Sequence, residues 1–111
     1  MSRNVDYDKD PIYIVQGDGW DMSFSVAQNG VAYDMTGMQI DINVEDQVGN
    51  VIKAISSAGT SPEITIATST YSIDATPFTI PGIFGYSVVL TNAGVEKTIA
   101  KSNIHVTKRT S

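Results

Sequence analysis

The sequence predicts an all-β domain, either a sandwich or a small barrel. Apolar and polar residues alternate over several segments, turn residues recur about every ten positions, and no segment carries a helical stripe. At 111 residues the chain has room for one core and no second one.

Residues 1–11 read as an extended polar arm ending at Pro11. Asp6, Asp8 and Asp10 share the alternate spacing of the first half of a calcium loop. Pro11 and Gly17 stand where such a loop needs Gly and Glu, so no cation site is expected there. Residues 12–16 form a short strand, and Gly17-Asp18-Gly19 turns it. In residues 20–27, Trp20, Met22, Phe24 and Val26 point one way and Asp21, Ser23, Ser25 and Ala27 the other, as a strand with one buried face requires. Asn29-Gly30 supplies the positive φ angles of a tight hairpin. Residues 31–33 return, and Asp34-Met35-Thr36-Gly37 turns the chain again.

Met38, Ile40, Ile42 and Val44 then alternate with Gln39, Asp41, Asn43 and Glu45, giving a second half-buried strand with an acidic solvent face. Gly49-Asn50 turns it into a partner over residues 51–55. Residues 56–61 form a flexible loop closed by Pro62. Residues 63–75 hold two short strands or one interrupted strand, with Ile64, Ile66, Tyr71 and Ile73 alternating. The irregular stretch after Thr76-Pro77 inserts Phe78 and Ile80 as plugs. Phe84, Tyr86, Val88 and Leu90 mark the second strong strand, Asn92-Ala93-Gly94 turns it, residues 95–100 pair back, and a separate strand over residues 103–107 closes the chain. The count is about eight or nine strands. The core expected from these registers is Trp20, Met22, Phe24, Val26, Ile40, Ile42, Val44, Phe84, Tyr86, Val88 and Leu90.

Hydrophobic residues make up 41% of the chain and charged residues only 17%, which gives a foldable domain with a rather neutral, Ser/Thr/Asn-rich surface. The formal net charge is −5, and the largest basic cluster is Lys108-Arg109, so a nucleic-acid footprint is not expected. Residues 1–50 hold nine acids and two bases, whereas residues 51–111 hold three acids and five bases. Neighbouring copies could complement one another through this asymmetry, although ordinary solvated charge is the simpler reading. With no cysteine there is no disulfide, thiolate metal site or cysteine nucleophile, and stability must come from packing. No apolar run approaches the ~20 residues of a membrane span, and residues 1–10 lack the apolar core of a secretory signal, so a cytosolic product is expected.

Catalytic signatures are missing. The single histidine, His105, sits between Ile104 and Val106 and therefore points to the surface. Neither HExxH nor G-x-S-x-G occurs, and no Gly-rich loop precedes a helix. Paired carboxylates such as Asp41 with Glu45 share one strand face and could act as acid and base. Ordinary solubilising positions are the simpler reading. Trp20 is expected in the core rather than as a ligand-stacking surface ring.

Gly17-Asp18, the aromatic Trp20, the alternating run, Asn29-Gly30-Val31 and Asp34-Met35-Thr36-Gly37 together resemble the amino-terminal immunoglobulin-like domain of tailed-bacteriophage baseplate and tail proteins, in particular upper baseplate proteins. Gly19 replaces the family's Thr, and Met35 its Leu. Ile80-Pro81-Gly82, the strand from Phe84, the Gly94 turn and Ile104-His105-Val106-Thr107 resemble the family's ending, with Ala100-Lys101-Ser102 where a Gly usually precedes the last strand. The resemblance implies an immunoglobulin-like antiparallel β-sandwich of about eight or nine strands over residues 12–107, here without the disulfide, preceded by the arm and followed by a tail at residues 108–111. It further implies a structural, non-enzymatic virion component made in the host cytoplasm. Such a protein acts as an assembly, adaptor or decoration module at the tail, baseplate or head surface. Its partners would be other virion proteins, and it would be a homo-oligomer or present in multiple copies, with no cofactor, metal, nucleic acid or membrane. The alternative is a carbohydrate-binding sandwich used in host-surface attachment, for which Tyr7, Tyr13, Tyr33 and Tyr71 are the candidate exposed rings.

Overall fold

Alternation sets the strands. The computed structural model describes residues 11–28, 30–60 and 62–108. The expected arm before Pro11, with Asp6, Tyr7, Asp8 and Asp10, therefore lies outside the described residues, as do Asn29, Ser61 and the end of the expected tail from Arg109. Among the described residues the chain forms ten strands: β1 (Ile12–Val15), β2 (Trp20–Ser25), β3 (Ala27–Gln28), β4 (Val31–Ala32), β5 (Gln39–Glu45), β6 (Val51–Ser56), β7 (Ile64–Ala67), β8 (Thr70–Ala75), β9 (Gly82–Asn92) and β10 (Val95–Thr107). There is no helix among them.

Two sheets face each other. One has five strands in the order β1-β10-β9-β5-β6, the other three in the order β2-β8-β7, and β3-β4 is a small separate hairpin. Sequence-adjacent strands β9 and β10 pair within one sheet, β7 and β8 within the other, while β2 and β5 fall in different sheets. This is the immunoglobulin-like arrangement, built here without cysteines. One pair departs from the expected antiparallel pattern, because β1 lies parallel to β10, with Ile12 opposite Ile104 and Ile14 opposite Val106. The chain crosses between sheets through main-chain bonds: the Glu63 amide donates to the Ser56 carbonyl at 3.2 Å, and the Asp74 amide to the Glu63 carbonyl at 2.9 Å.

The inner faces are apolar throughout. Ile40, Ile42 and Val44 of β5 lie opposite Leu90, Val88 and Tyr86 of β9, and all six are buried. Aromatic rings tie the layers together where a disulfide is absent. Trp20 on β2 meets Phe78 at 5.3 Å between centroids, and Phe78 stacks on Phe84 of β9 at 6.3 Å. Trp20 is only 1% exposed, yet its indole Nε1 has no hydrogen-bond partner. Burying an indole of roughly 200 Å² contributes about 5 kcal/mol, whereas an unpaired donor costs about 1–3 kcal/mol, so packing wins.

The structure corrects several expectations. Met22 and Phe24 are only half-buried, because β2 is an edge strand whose open side leaves their flanks in solvent. Ile80 is exposed, and only Phe78 of the two plugs enters the core. The strand expected over residues 20–27 breaks at Val26, whose amide bonds the Ser69 carbonyl at 2.8 Å while its carbonyl accepts from Tyr33 at 3.0 Å. That diverts the chain into the β3-β4 hairpin. Met35 is fully buried although it lies in a turn. The Asp34 carboxylate accepts the Thr36 amide at 2.9 Å, Gly37 takes φ 82°, and the Met35 amide bonds the Thr68 carbonyl at 2.7 Å, which together aim the thioether inward. Residues 56–61 are not all loose: the Ile40 amide donates to Ser57 Oγ and the Ser57 amide to the Ile40 carbonyl, each at 2.9 Å.

The two last expected strands are one. β10 runs unbroken, but between Thr98 and Ala100 the pairing with β9 slips by one residue. Ile99 is the extra residue, and Ile99 and Ala100 are both buried. A bulge reverses the phase of alternation downstream of it, so Lys97 and Ile99 share one face before it and Ala100, Ile104 and Val106 continue that face after it.

Two predictions follow from this packing. Trp20→Phe, which keeps a ring against Phe78 and removes the unpaired donor, should cost less than Trp20→Ala, which should lose about 3–5 kcal/mol; equal losses in denaturant melts would show that ring packing is not what Trp20 supplies. Asp46 closes the β5-β6 hairpin by accepting the amides of Asn50, Val48 and Gly49 at 2.9, 2.9 and 3.0 Å, and these bonds, that of Asn50 foremost, hold its carboxyl below the ordinary value of 3.8. A lowered folded-state value stabilises above the unfolded one and is lost as the pH falls through the folded one. Asp46→Ala should therefore lower the denaturant midpoint at neutral pH, with the gap to the parent narrowing in acid below about pH 4. A gap that does not change with pH would contradict this.

Candidate functional site

The outer face of the five-stranded sheet gathers the side chains with chemistry to offer. Its residues are the ones that alternation leaves pointing away from the core, and strand register arranges them in rows. Tyr13, His105 and Ile83 form one row across β1, β10 and β9. Asn103, Gly85 and Glu45 form the next, and Lys101, Ser87 and Asn43 the third, both across β10, β9 and β5. Successive rows lie two residues, or about 7 Å, apart.

The second and third rows enclose a cleft of about 340 Å³ floored by Gly85. The gap exists because Gly85 has no side chain. A Cβ built there would meet only the Ser102 carbonyl oxygen, at 4.0 Å, so the backbone does not demand glycine. Farther along the same face a broader hollow of about 540 Å³ runs past Asp41, Ser56, Glu63, Val89 and Glu96. At the other end stands an aromatic pair: Tyr13 is 68% exposed and its ring stacks on His105 at 4.9 Å, with 28° between the planes.

Among the residues singled out from sequence, the structure separates more than it joins. Tyr71 is buried and packs on Phe24, Tyr33 is half-buried against the core, Trp20 is internal and Tyr7 lies outside the described residues. Of the three candidate tyrosines among the described residues, Tyr13 alone offers an exposed ring on this face. Asp41 and Glu45 do share the outer face, but four residues of strand put them about 13 Å apart, beyond the roughly 5–9.5 Å at which paired carboxylates cleave glycosides. Asp41 is further held by Gln39, whose Nε2 donates to its two oxygens at 3.1 and 2.9 Å. Among the described residues no three His, Asp or Glu side chains are placed to share a metal ion. Asp34 has a carboxyl held below its usual range by Thr36, and it serves the turn at Met35 rather than the cleft.

A second surface feature lies where β6 meets the stretch after β8. Val48, Val51, Ile52 and Ile80 are all exposed, and Ile52 and Ile80 line a hollow of about 210 Å³ beside Phe78. Lys53 covers part of it, donating to Thr76 Oγ1 at 2.6 Å with its Nζ 5.6 Å from the Phe78 ring centroid. Sequence reasoning missed this strip. Placing Ile80 inward removed one of its four residues, and the bulge between β5 and β6 that turns Ile52 outward carries no residue signature.

No family model matches the chain, and no curated protein matches it. Among solved structures, one described as titin domains Z1Z2 in complex with telethonin aligns with 96% of this chain and 47% of its own, at 17% identity and a TM-score of 0.49. The chain thus spans about half the length of that structure, and a likeness this distant carries nothing about function.

Proposed function

We propose that the chain is a non-enzymatic assembly module of a tailed-bacteriophage particle, docking on other virion proteins at the tail, baseplate or head surface. The observation that carries the docking role is the exposed apolar strip of Val48, Val51, Ile52 and Ile80. Exposed aliphatic side chains scattered singly are ordinary, but Ile52 and Ile80 share the lining of one hollow, with Val48 and Val51 exposed on the hairpin that leads into Ile52, and such a grouping favours burial against another protein. The particle itself is proposed on the resemblance of the Gly17-to-Gly37 turns and strands to phage immunoglobulin-like domains. Among the described residues, the separation of Asp41 from Glu45 and the tethering of Asp41 by Gln39 support a role without turnover.

Docking of this kind would bury more than about 1,000 Å² in total. Two of the four edge strands of the two facing sheets offer little for pairing. β6 is blunted by its bulge and by Lys53, which turns toward Thr76, and β7 is only four residues long. The edges of β1 and β2 stay open, and side-chain burial at Ile52 and Ile80 is the contact proposed as the main one.

Density-gradient fractions of phage particles, probed for this chain by mass spectrometry, test the reading. The chain should co-sediment with particles at constant stoichiometry, and a double variant Ile52→Asp/Ile80→Asp should fold but fail to incorporate. Absence of the parent chain from particles would refute the phage role, and normal occupancy by the double variant would refute the strip as the docking surface.

A further inference from the structure

We propose that the outer face of the five-stranded sheet binds a neutral oligosaccharide in the cleft floored by Gly85, with the Tyr13–His105 pair, in the row beyond the cleft, as the aromatic wall of the site. The site goes beyond the assembly role and uses none of the residues of the apolar strip.

The cleft concentrates unspent hydrogen-bonding capacity. Asn43, Glu45, Ser87, Lys101 and Asn103 surround it, and none of their side chains bonds to the described protein. On the same hairpin and sheet, by contrast, Gln39 is engaged with Asp41, Asp46 with its turn and Lys53 with Thr76. Two amides, one hydroxyl, one carboxylate and one ammonium in two facing rows supply both donors and acceptors at the spacing of a polyhydroxylated ligand.

The aromatic pair supplies the other half of sugar recognition. A pyranose presents C–H groups on one face and hydroxyls at its rim, so a site needs an apolar ring beside polar groups. Tyr13 is exposed for contact and held by its stack on His105, which leads directly into the Asn103 row. Charge narrows the ligand. Glu45 and Lys101 offset one another in the cleft, but Asp41, Glu63 and Glu96 line the hollow beyond it, and a polyanionic glycan would be repelled there. The continuity of cleft and hollow along one face suits a chain of sugars more than a single unit.

The test is an amide chemical-shift titration of the whole chain with cellohexaose, maltohexaose and chitohexaose, and with an oligogalacturonate as the anionic control. At least one neutral oligomer at millimolar concentration should shift the amides of Asn43, Gly85, Ser87, Lys101, Asn103 and His105. Gly85→Gln, which fills the cleft, and Tyr13→Ala, which removes the wall, should each weaken binding about tenfold without changing the melting temperature. Ile52→Asp should bind as the parent does, which separates this site from the docking strip. The proposal is overturned if none of the three neutral oligomers shifts the cleft amides, if the shifts fall on another surface, if the oligogalacturonate binds better, or if both cleft variants retain parental affinity.

Discussion

Strand β9 is hydrogen-bonded along both sides, to β10 on one and β5 on the other, and its strict alternation is the constraint on which the rest of the structure depends. Phe84, Tyr86, Val88 and Leu90 face the second sheet and form the middle of the core. Each has an inward partner on β5 or β10: Val44, Ile42 and Ile40 on the first, Ala100 and Ile104 on the second. Slipping this strand by one residue would send all four side chains to solvent and bury Gly85, Ser87, Val89 and Thr91 instead. The same alternation makes the candidate site. Gly85 and Ser87 form the floor and one side of the cleft because their neighbours are committed to the core, so fold and surface are two sides of one pattern.

With no covalent link between the sheets, ring and aliphatic packing must hold them, and the aromatic series Trp20, Phe78, Phe84 occupies that position. The unpaired Trp20 donor shows the order of magnitudes. A protein of this size keeps only about 5–15 kcal/mol of net stability, and it tolerates a buried donor because the ring around it contributes more than the donor costs.

Much of this was legible in the sequence. Alternation at Ile40, Ile42 and Val44 and at Phe84, Tyr86, Val88 and Leu90 marked the two central strands, and their inward faces are as expected. Legibility failed where local pattern and tertiary context part. The bulge at Ile99 shifts the phase of β10, so one long strand reads as two. Met35 sits in a turn whose residues announce reversal, and only the bond to Thr68 reveals that the turn folds over the core. Phe24 has the alternation of a core residue but lies at an edge, and alternation does not report edges. The site was harder still. His105 was legible as a surface residue, but its stack with Tyr13 depends on a parallel pairing between strands at opposite ends of the chain, which no local signal encodes. The cleft depends on a glycine in mid-strand, whose absent side chain matters only once Glu45 and Asn103 are known to flank it.

Native-state hydrogen exchange tests the central role of β9 most directly. If the alternating core of β9 organises the domain, its amides between Phe84 and Leu90 should exchange only through global unfolding, with free energies equal to that from denaturant melts, while β6 and β7 open locally at lower cost. Exchange of the β9 amides as fast as that of β6 or β7 would contradict it.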